Sequence, residues 1–103
     1  MIAGTKIDIG GTEYLIPPIN FKAIKKHRAF FSRALRGEIN ATQAGIEDLE
    51  AMFDIVYLAI RRNYPDFSED ALAEALDFAQ LPQVFEAVLR IAGFERGAGA
   101  GEA

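Results

Sequence analysis

His27 is the one imidazole in the sequence, and nucleophilic catalysis through it would need an activated serine, threonine or cysteine within reach. Ser32 lies five residues further on, at a different azimuth of the same expected helix, so no nucleophile–base pair is spelled out. His27 therefore reads as an ordinary surface or boundary residue. With no cysteine and no second histidine, a transition-metal site lacks its usual ligands. Carboxylates do recur at four-residue spacing, Glu50 with Asp54 and Asp70 with Glu74, an arrangement that general acid–base chemistry can use. The commoner meaning of such pairs is a solvated helix face, or one attracted to basic neighbours. No glycine-punctuated calcium loop accompanies them. Gly97, Gly99 and Gly101 precede no helix and so form no phosphate cradle. From these residues no enzyme, no metal and no cofactor is expected.

The strongest chemical signal is charge segregation. Lys22, Lys25, Lys26, Arg28, Arg33 and Arg36 crowd one acid-free segment, although the net charge is −4. Acids follow in two groups: Glu47, Asp48, Glu50 and Asp54, then Asp66, Glu69, Asp70, Glu74 and Asp77. Six cations could neutralise phosphates and give salt-dependent nucleic-acid binding. They circle the helix instead of lining one side, the overall balance is acidic, and no DNA-reading motif accompanies them. Pairing with the chain's own acidic helices, or with an acidic protein surface, is the favoured reading. A small helical nucleic-acid-binding regulator is the alternative.

These residues must be carried by a few short elements. Lys6 to Pro18 predicts a β-hairpin, with Gly10-Gly11 supplying the positive φ angles of a two-residue turn. Pairing about that turn sets Ile9 opposite Thr12 and Ile7 opposite Tyr14. Ile7, Ile9, Tyr14 and Ile16 then share a core-seeking face, and Lys6, Asp8 and Glu13 take the other. Asn20 can cap a first helix from about Phe21 to Arg36, stopped by Gly37, with Phe21, Ile24, Phe31 and Leu35 as its buried stripe. Phe30 falls about 130° from the centre of that stripe and is expected in solvent.

Glu38 to Gly45 reads as a loop. Ile46 to Asn63 is the strongest helical pattern, with Ile46, Leu49, Met52, Phe53, Val56, Tyr57 and Ile60 on one broad face. Ile55 and Leu58 point away from it, so this helix is either central or part of an interface. Ser68 caps a third helix, in which Leu72, Ala75, Leu76 and Ala79 face inward. Gln80-Leu81-Pro82 starts a fourth, with Val84, Phe85, Val88, Leu89 and Ala92 at core spacing and Gly93-Phe94 as its stop. The expected fold is mainly α: a small helical domain of about four helices over residues 1–94, with an N-terminal β-hairpin packed on it. Residues 95–103 form a flexible Gly/Ala tail.

Half of the 103 residues are apolar, enough for one modest core held by packing alone, which suits a reducing cytosol. The longest apolar run, Ile55 to Ile60, is far short of the roughly 20 residues of a membrane span, so no membrane association is expected. Met1 to Ile9 has no basic segment followed by a hydrophobic one, and no secretory signal is read there. The sequon Asn40-Ala41-Thr42 is then coincidental.

Several runs resemble the tail assembly chaperones of long-tailed bacteriophages. They are the hairpin leading into Tyr14-Leu15-Ile16-Pro17-Pro18-Ile19-Asn20, the helix exit Ala59-Ile60-Arg61-Arg62-Asn63-Tyr64-Pro65-Asp66, and Leu81-Pro82-Gln83-Val84 through Ile91-Ala92-Gly93. The resemblance implies a chaperone that binds the tail tape measure protein, keeps its helices soluble and helps recruit tail tube protein. It would act in the host cytoplasm and be absent from the mature virion. It also implies that a longer frameshifted product can exist, in which the Gly/Ala tail would serve as a linker.

Such a chaperone needs apolar surface, and the expected partner-binding residues are Phe30 with Ala34, Arg33 and Arg36 at its rim, Ile55, Leu58, and the run Arg61, Arg62 and Tyr64. For Ile55 and Leu58 a core position stays open, and for Arg61, Arg62 and Tyr64 a purely structural role at the helix end. Self-association is left open as well.

Overall fold

The computed structural model describes residues 1–39 and 45–91. In chain order they form β1 (Thr5–Ile9), β2 (Thr12–Ile16), α1 (Phe21–Lys26), α2 (Arg28–Leu35), α3 (Ile46–Arg61), α4 (Glu69–Ala75), a 3₁₀ turn (Phe78–Gln80) and α5 (Leu81–Ile91). The chain is thus mostly helical, with an N-terminal antiparallel hairpin. The expected Gly93-Phe94 stop, Ala92 and the tail 95–103 lie outside the described residues, as does Asn40-Ala41-Thr42.

The hairpin pairs as its turn dictates, Ile9 with Thr12, Ile7 with Tyr14 and Thr5 with Ile16. Gly10 and Gly11 take φ of 64° and 87°, a combination that L side chains rarely adopt. The Asp8 carboxylate accepts the Gly11 N–H at 2.9 Å and braces the turn. Period-two alternation buries Ile7, Ile9 and Ile16, half-buries Tyr14, and leaves Lys6, Asp8 and Glu13 in water. The buried face lies on α3 and α5, which is what makes a two-stranded sheet stable here.

α3 is the central element, with Met52, Ile55, Val56, Ala59 and Ile60 buried and Leu49, Phe53, Tyr57 and Leu58 half-buried around it. Its acidic first turn, Glu47 and Asp48, suits the N-terminal end of the helix dipole. α5 packs along it through Val84, Phe85 and Val88. α4 is capped by the Ser68 hydroxyl, which accepts the Ala71 N–H at 3.0 Å, and it buries Leu72. Ala79 is exposed instead of facing inward, because α4 ends at Ala75 and the 3₁₀ turn re-aims the chain before α5.

The first helix departs most from expectation. It is two helices with a bend at His27, whose φ of −116° and ψ of 44° leave the helical region. The His27 N–H closes α1 on the Ala23 carbonyl and the Phe31 N–H opens α2 on the His27 carbonyl, so one helix ends and the next begins at this residue. Burial marks the inward face of each half, Ala23 and Ile24 on α1, His27 at the bend, and Phe30, Phe31 and Ala34 on α2. That face is rotated by roughly 80° from the stripe drawn through Phe21 and Leu35 at 100° per residue. Phe30 is 5% exposed, edge-on to Phe31 and to Phe85 of α5, whereas Phe21 and Leu35 are 69% and 68% exposed. The physical reason is the size of the inward residues: Ala23, 1% exposed, and Ala34 let the backbone approach the core closely, and Phe30 fills the space beside them.

Candidate functional site

Among the described residues three regions gather polar side chains: the exit of α3, the α1–α2 junction against α3, and the outer face of α1–α2.

At the exit of α3 the side chains turn back to the N-terminal segment. Asn63 works as a double-sided clamp, accepting the Ile2 N–H at 2.7 Å through Oδ1 and donating from Nδ2 to the carbonyls of Ile2 at 2.8 Å and Leu15 at 3.0 Å. The Tyr64 hydroxyl accepts the Leu15 N–H at 2.9 Å, and its ring meets Tyr14 edge-on at 5.4 Å, with Phe67 on the other side of Tyr14 at 5.3 Å. Arg62 donates to the Pro18 carbonyl at 2.6 Å, which fixes the entry to α1. Arg61 donates from Nε and Nη2 to the Pro65 carbonyl at 3.1 and 2.8 Å, and its guanidinium lies over the Tyr57 ring. The Tyr57 hydroxyl donates to the Phe67 carbonyl at 3.2 Å. Arg61, Arg62 and Tyr64 thus satisfy backbone carbonyls and an N–H that hairpin and turn leave over. Of the two readings open for this run, its contacts are those of a structural pin.

At the α1–α2 junction the basic segment meets the first acidic group. His27 Nε2 lies 2.7 Å from Asp54 Oδ2, and Lys26 Nζ lies 3.1 Å from the same oxygen. Burial pushes the Asp54 carboxyl up, but the hydrogen bonds from His27 and Lys26 and their charges outweigh it and hold the group below the ordinary aspartate value. Further toward the start of α3, Asp48 accepts both Nη1 and Nη2 of Arg33 at 3.0 Å, the fork geometry that suits a guanidinium. This pairing raises the Arg33 pKa. Arg36 pairs locally, with Glu38 and the Ser32 hydroxyl, and its hydrogen bond holds the Glu38 carboxyl below the usual range. His27 is therefore a boundary residue with a structural partner, on the inner face and 2.7 Å from a carboxylate.

Of the residues expected to bind partners, Phe30 and Ile55 are core, Ile55 with no exposed surface at all. Leu58 and Ala34 are half-buried against the same core, and Arg33 is committed to Asp48. The apolar side chains that do stand in solvent on the first helices are Phe21, Leu35 and, at the start of α3, Ile46, with Phe78 in the 3₁₀ turn. Sequence reasoning missed them because it ranked positions by size. For Phe21 and Leu35 the signal is the small or polar inward residues Ala23, His27 and Ala34.

The outer face of α1–α2 holds the remaining cations. Lys22, Lys25 and Arg28 are exposed, and none has a carboxylate within ion-pair distance among the described residues. Among the described residues no group of three or more His, Asp or Glu side chains is placed to hold a metal, and no helix is long and apolar enough to cross a membrane. Comparison of the chain with protein-family models, with curated proteins and with solved structures gives no match.

Proposed function

We propose that this chain is a tail assembly chaperone of a long-tailed phage, which binds the tape measure protein, keeps its helices soluble and helps recruit tail tube protein. The observation that carries this is the exposure of Phe21, Leu35 and Ile46, each roughly two-thirds in water on helices whose other faces build the core. The resemblance of the hairpin exit, the α3 exit and the start of α5 to that family supplies the client. The chaperone acts in the host cytoplasm before the tail is complete and is absent from the finished particle.

The mechanism is reversible burial. Covering three large apolar side chains gives roughly 5–8 kcal/mol of gross transfer free energy. Lost rotational and translational freedom takes much of it back. The resulting grip is weak and exchangeable, as suits a protein that must release its client. Binding of nucleic acid is not favoured, because three of the six cations of the basic segment are committed to carboxylates and the chain is acidic overall.

The test is co-expression with the tape measure protein of the same phage, reading its soluble fraction. The chain raises that fraction, and Phe21→Ser with Leu35→Ser abolishes the rise without disturbing the fold. A tape measure protein equally insoluble with and without the chain overturns the proposal.

A further inference from the structure

The outer face of α1–α2 combines unpaired cations with exposed apolar groups along one line. At 100° per residue Phe21 and Lys25 lie about 40° apart on α1, and Arg28, Ser32 and Leu35 fall within about 60° of one another on α2. Every one of them is exposed. On either side of the bend the inward residues, Ala23 and Ile24 on α1 and Phe30, Phe31 and Ala34 on α2, turn the two halves of this line away from the core. Lys22 and the small Ala29 flank it. The strip runs from Phe21 to Leu35 across the bend at His27, with an aromatic anchor at one end, a leucine at the other and two cations between.

We infer that this strip docks an acidic amphipathic helix, one that sets two apolar residues about four turns apart and carboxylates between them. The inference rests on the client-binding reading and gives the client segment its chemistry. Charge complementarity selects the occupant. Elsewhere on this side of the molecule the cations are already met, Lys26 and Arg33 by α3 and Arg36 by Glu38, whereas Lys25 and Arg28 face solvent without a counter-charge among the described residues. A helix carrying glutamates there would complete the pattern that α3 supplies on the inner side. A nucleic acid would meet only two phosphate-neutralising groups on the line and would leave Phe21 and Leu35 unmatched at its ends. An anionic membrane would find no continuous apolar strip, because Lys25, Arg28 and Ser32 interrupt it.

The test uses fluorescence anisotropy with a labelled helical peptide of about 16 residues, Leu at the anchor spacing and Glu between. Its Lys-for-Glu counterpart, a single-stranded oligonucleotide and anionic phosphatidylglycerol vesicles are run beside it. The Glu peptide binds the wild-type chain and weakens as salt rises. Lys25→Glu with Arg28→Glu weakens it roughly tenfold or more, since two attractions become repulsions. Phe21→Ser weakens it with the charges intact. Circular dichroism melts confirm that these exposed substitutions leave the fold unchanged.

Equal binding of the Lys peptide, preference for the oligonucleotide or vesicles, or affinity within twofold after charge reversal overturns the inference. So does a salt-sensitive dimer of this chain that vanishes with the reversal, because the strip would then serve a second copy. The co-expression assay separates the two levels. If the charge-reversed chain still solubilises the tape measure protein, the strip falls and the chaperone reading stands. If the Glu peptide binds but the tape measure protein gains nothing, the strip stands and the chaperone reading falls.

Discussion

Two phenylalanines exchanged roles between sequence and structure, and a mutation at each has opposite consequences. Phe30 packs edge-on against Phe31 and Phe85 in the core, so Phe30→Ala costs about 3–5 kcal/mol, a large part of what a domain of this size has. Phe21→Ala stays within about 0.5 kcal/mol, because its ring is in water in both states. Urea denaturation of the two variants reads this directly, and a Phe30 variant as stable as wild type contradicts the rotated face. Asp54 gives a pH signature. Its folded-state pKa lies below the ordinary value, so its stabilisation is complete above the unfolded pKa and is lost as pH falls through the folded one. The stability gap between wild type and Asp54→Asn is therefore wider at about pH 5.5 than at about pH 3. A gap constant across that window would mean that the His27 and Lys26 contacts do not bias the carboxyl. The pairing was not legible beforehand: the sequence places acids and bases in separate blocks, but which acid meets which base depends on where the chain sets Lys26, His27 and Arg33 against α3.

At the scale of elements, what could be read was whatever a local rule governs alone. The hairpin register follows from two consecutive glycines and period-two alternation, and the Ser68 cap and the central placement of α3 follow from patterns within one segment. The face of α1–α2 was misjudged because it is decided by what it packs against, and the alanines that allow that packing carry little weight in a search for apolar stripes. The clamp by Asn63 was not legible either, since its acceptors and donor lie 48 and 61 residues away. The turn gives a differential test of element packing. Gly10 and Gly11 both hold positive φ, so alanine at either is strained by about 1 kcal/mol. Only at Gly10 would the added Cβ also meet α4, 2.9 Å from the Ala75 Cβ, whereas nothing stands within 4 Å at Gly11. Gly10→Ala thus lowers the melting temperature more than Gly11→Ala. Equal shifts would mean that the turn does not lean on α4.

At the scale of the whole molecule, one core joins every layer: Ile7, Ile9 and Ile16 of the hairpin, Phe30 and Phe31 of α2, Met52 to Ile60 of α3, Leu72 of α4 and Val84 to Val88 of α5 belong to a single apolar cluster. The hairpin is not an appendage, because its inner face packs on α3 and α5 while Asn63 and Tyr64 bind β2 at Leu15 and Arg62 binds the hairpin exit at Pro18. Deleting residues 1–18 would expose that side of α3 and strip three hydrogen-bonding side chains of their partners. Burying three isoleucines is worth roughly 4–9 kcal/mol, comparable to the whole stability of a small domain. A chain beginning at Ile19 is therefore expected to lose cooperative urea unfolding and near-ultraviolet circular dichroism while keeping part of its helical signal. The intact chain, with its single core, is expected to unfold in one transition, with tyrosine fluorescence and far-ultraviolet signals coinciding. A truncated chain that still unfolds in a single sharp transition would show that the helices close a core without the hairpin, and the structural role given to the α3 exit would fail with it.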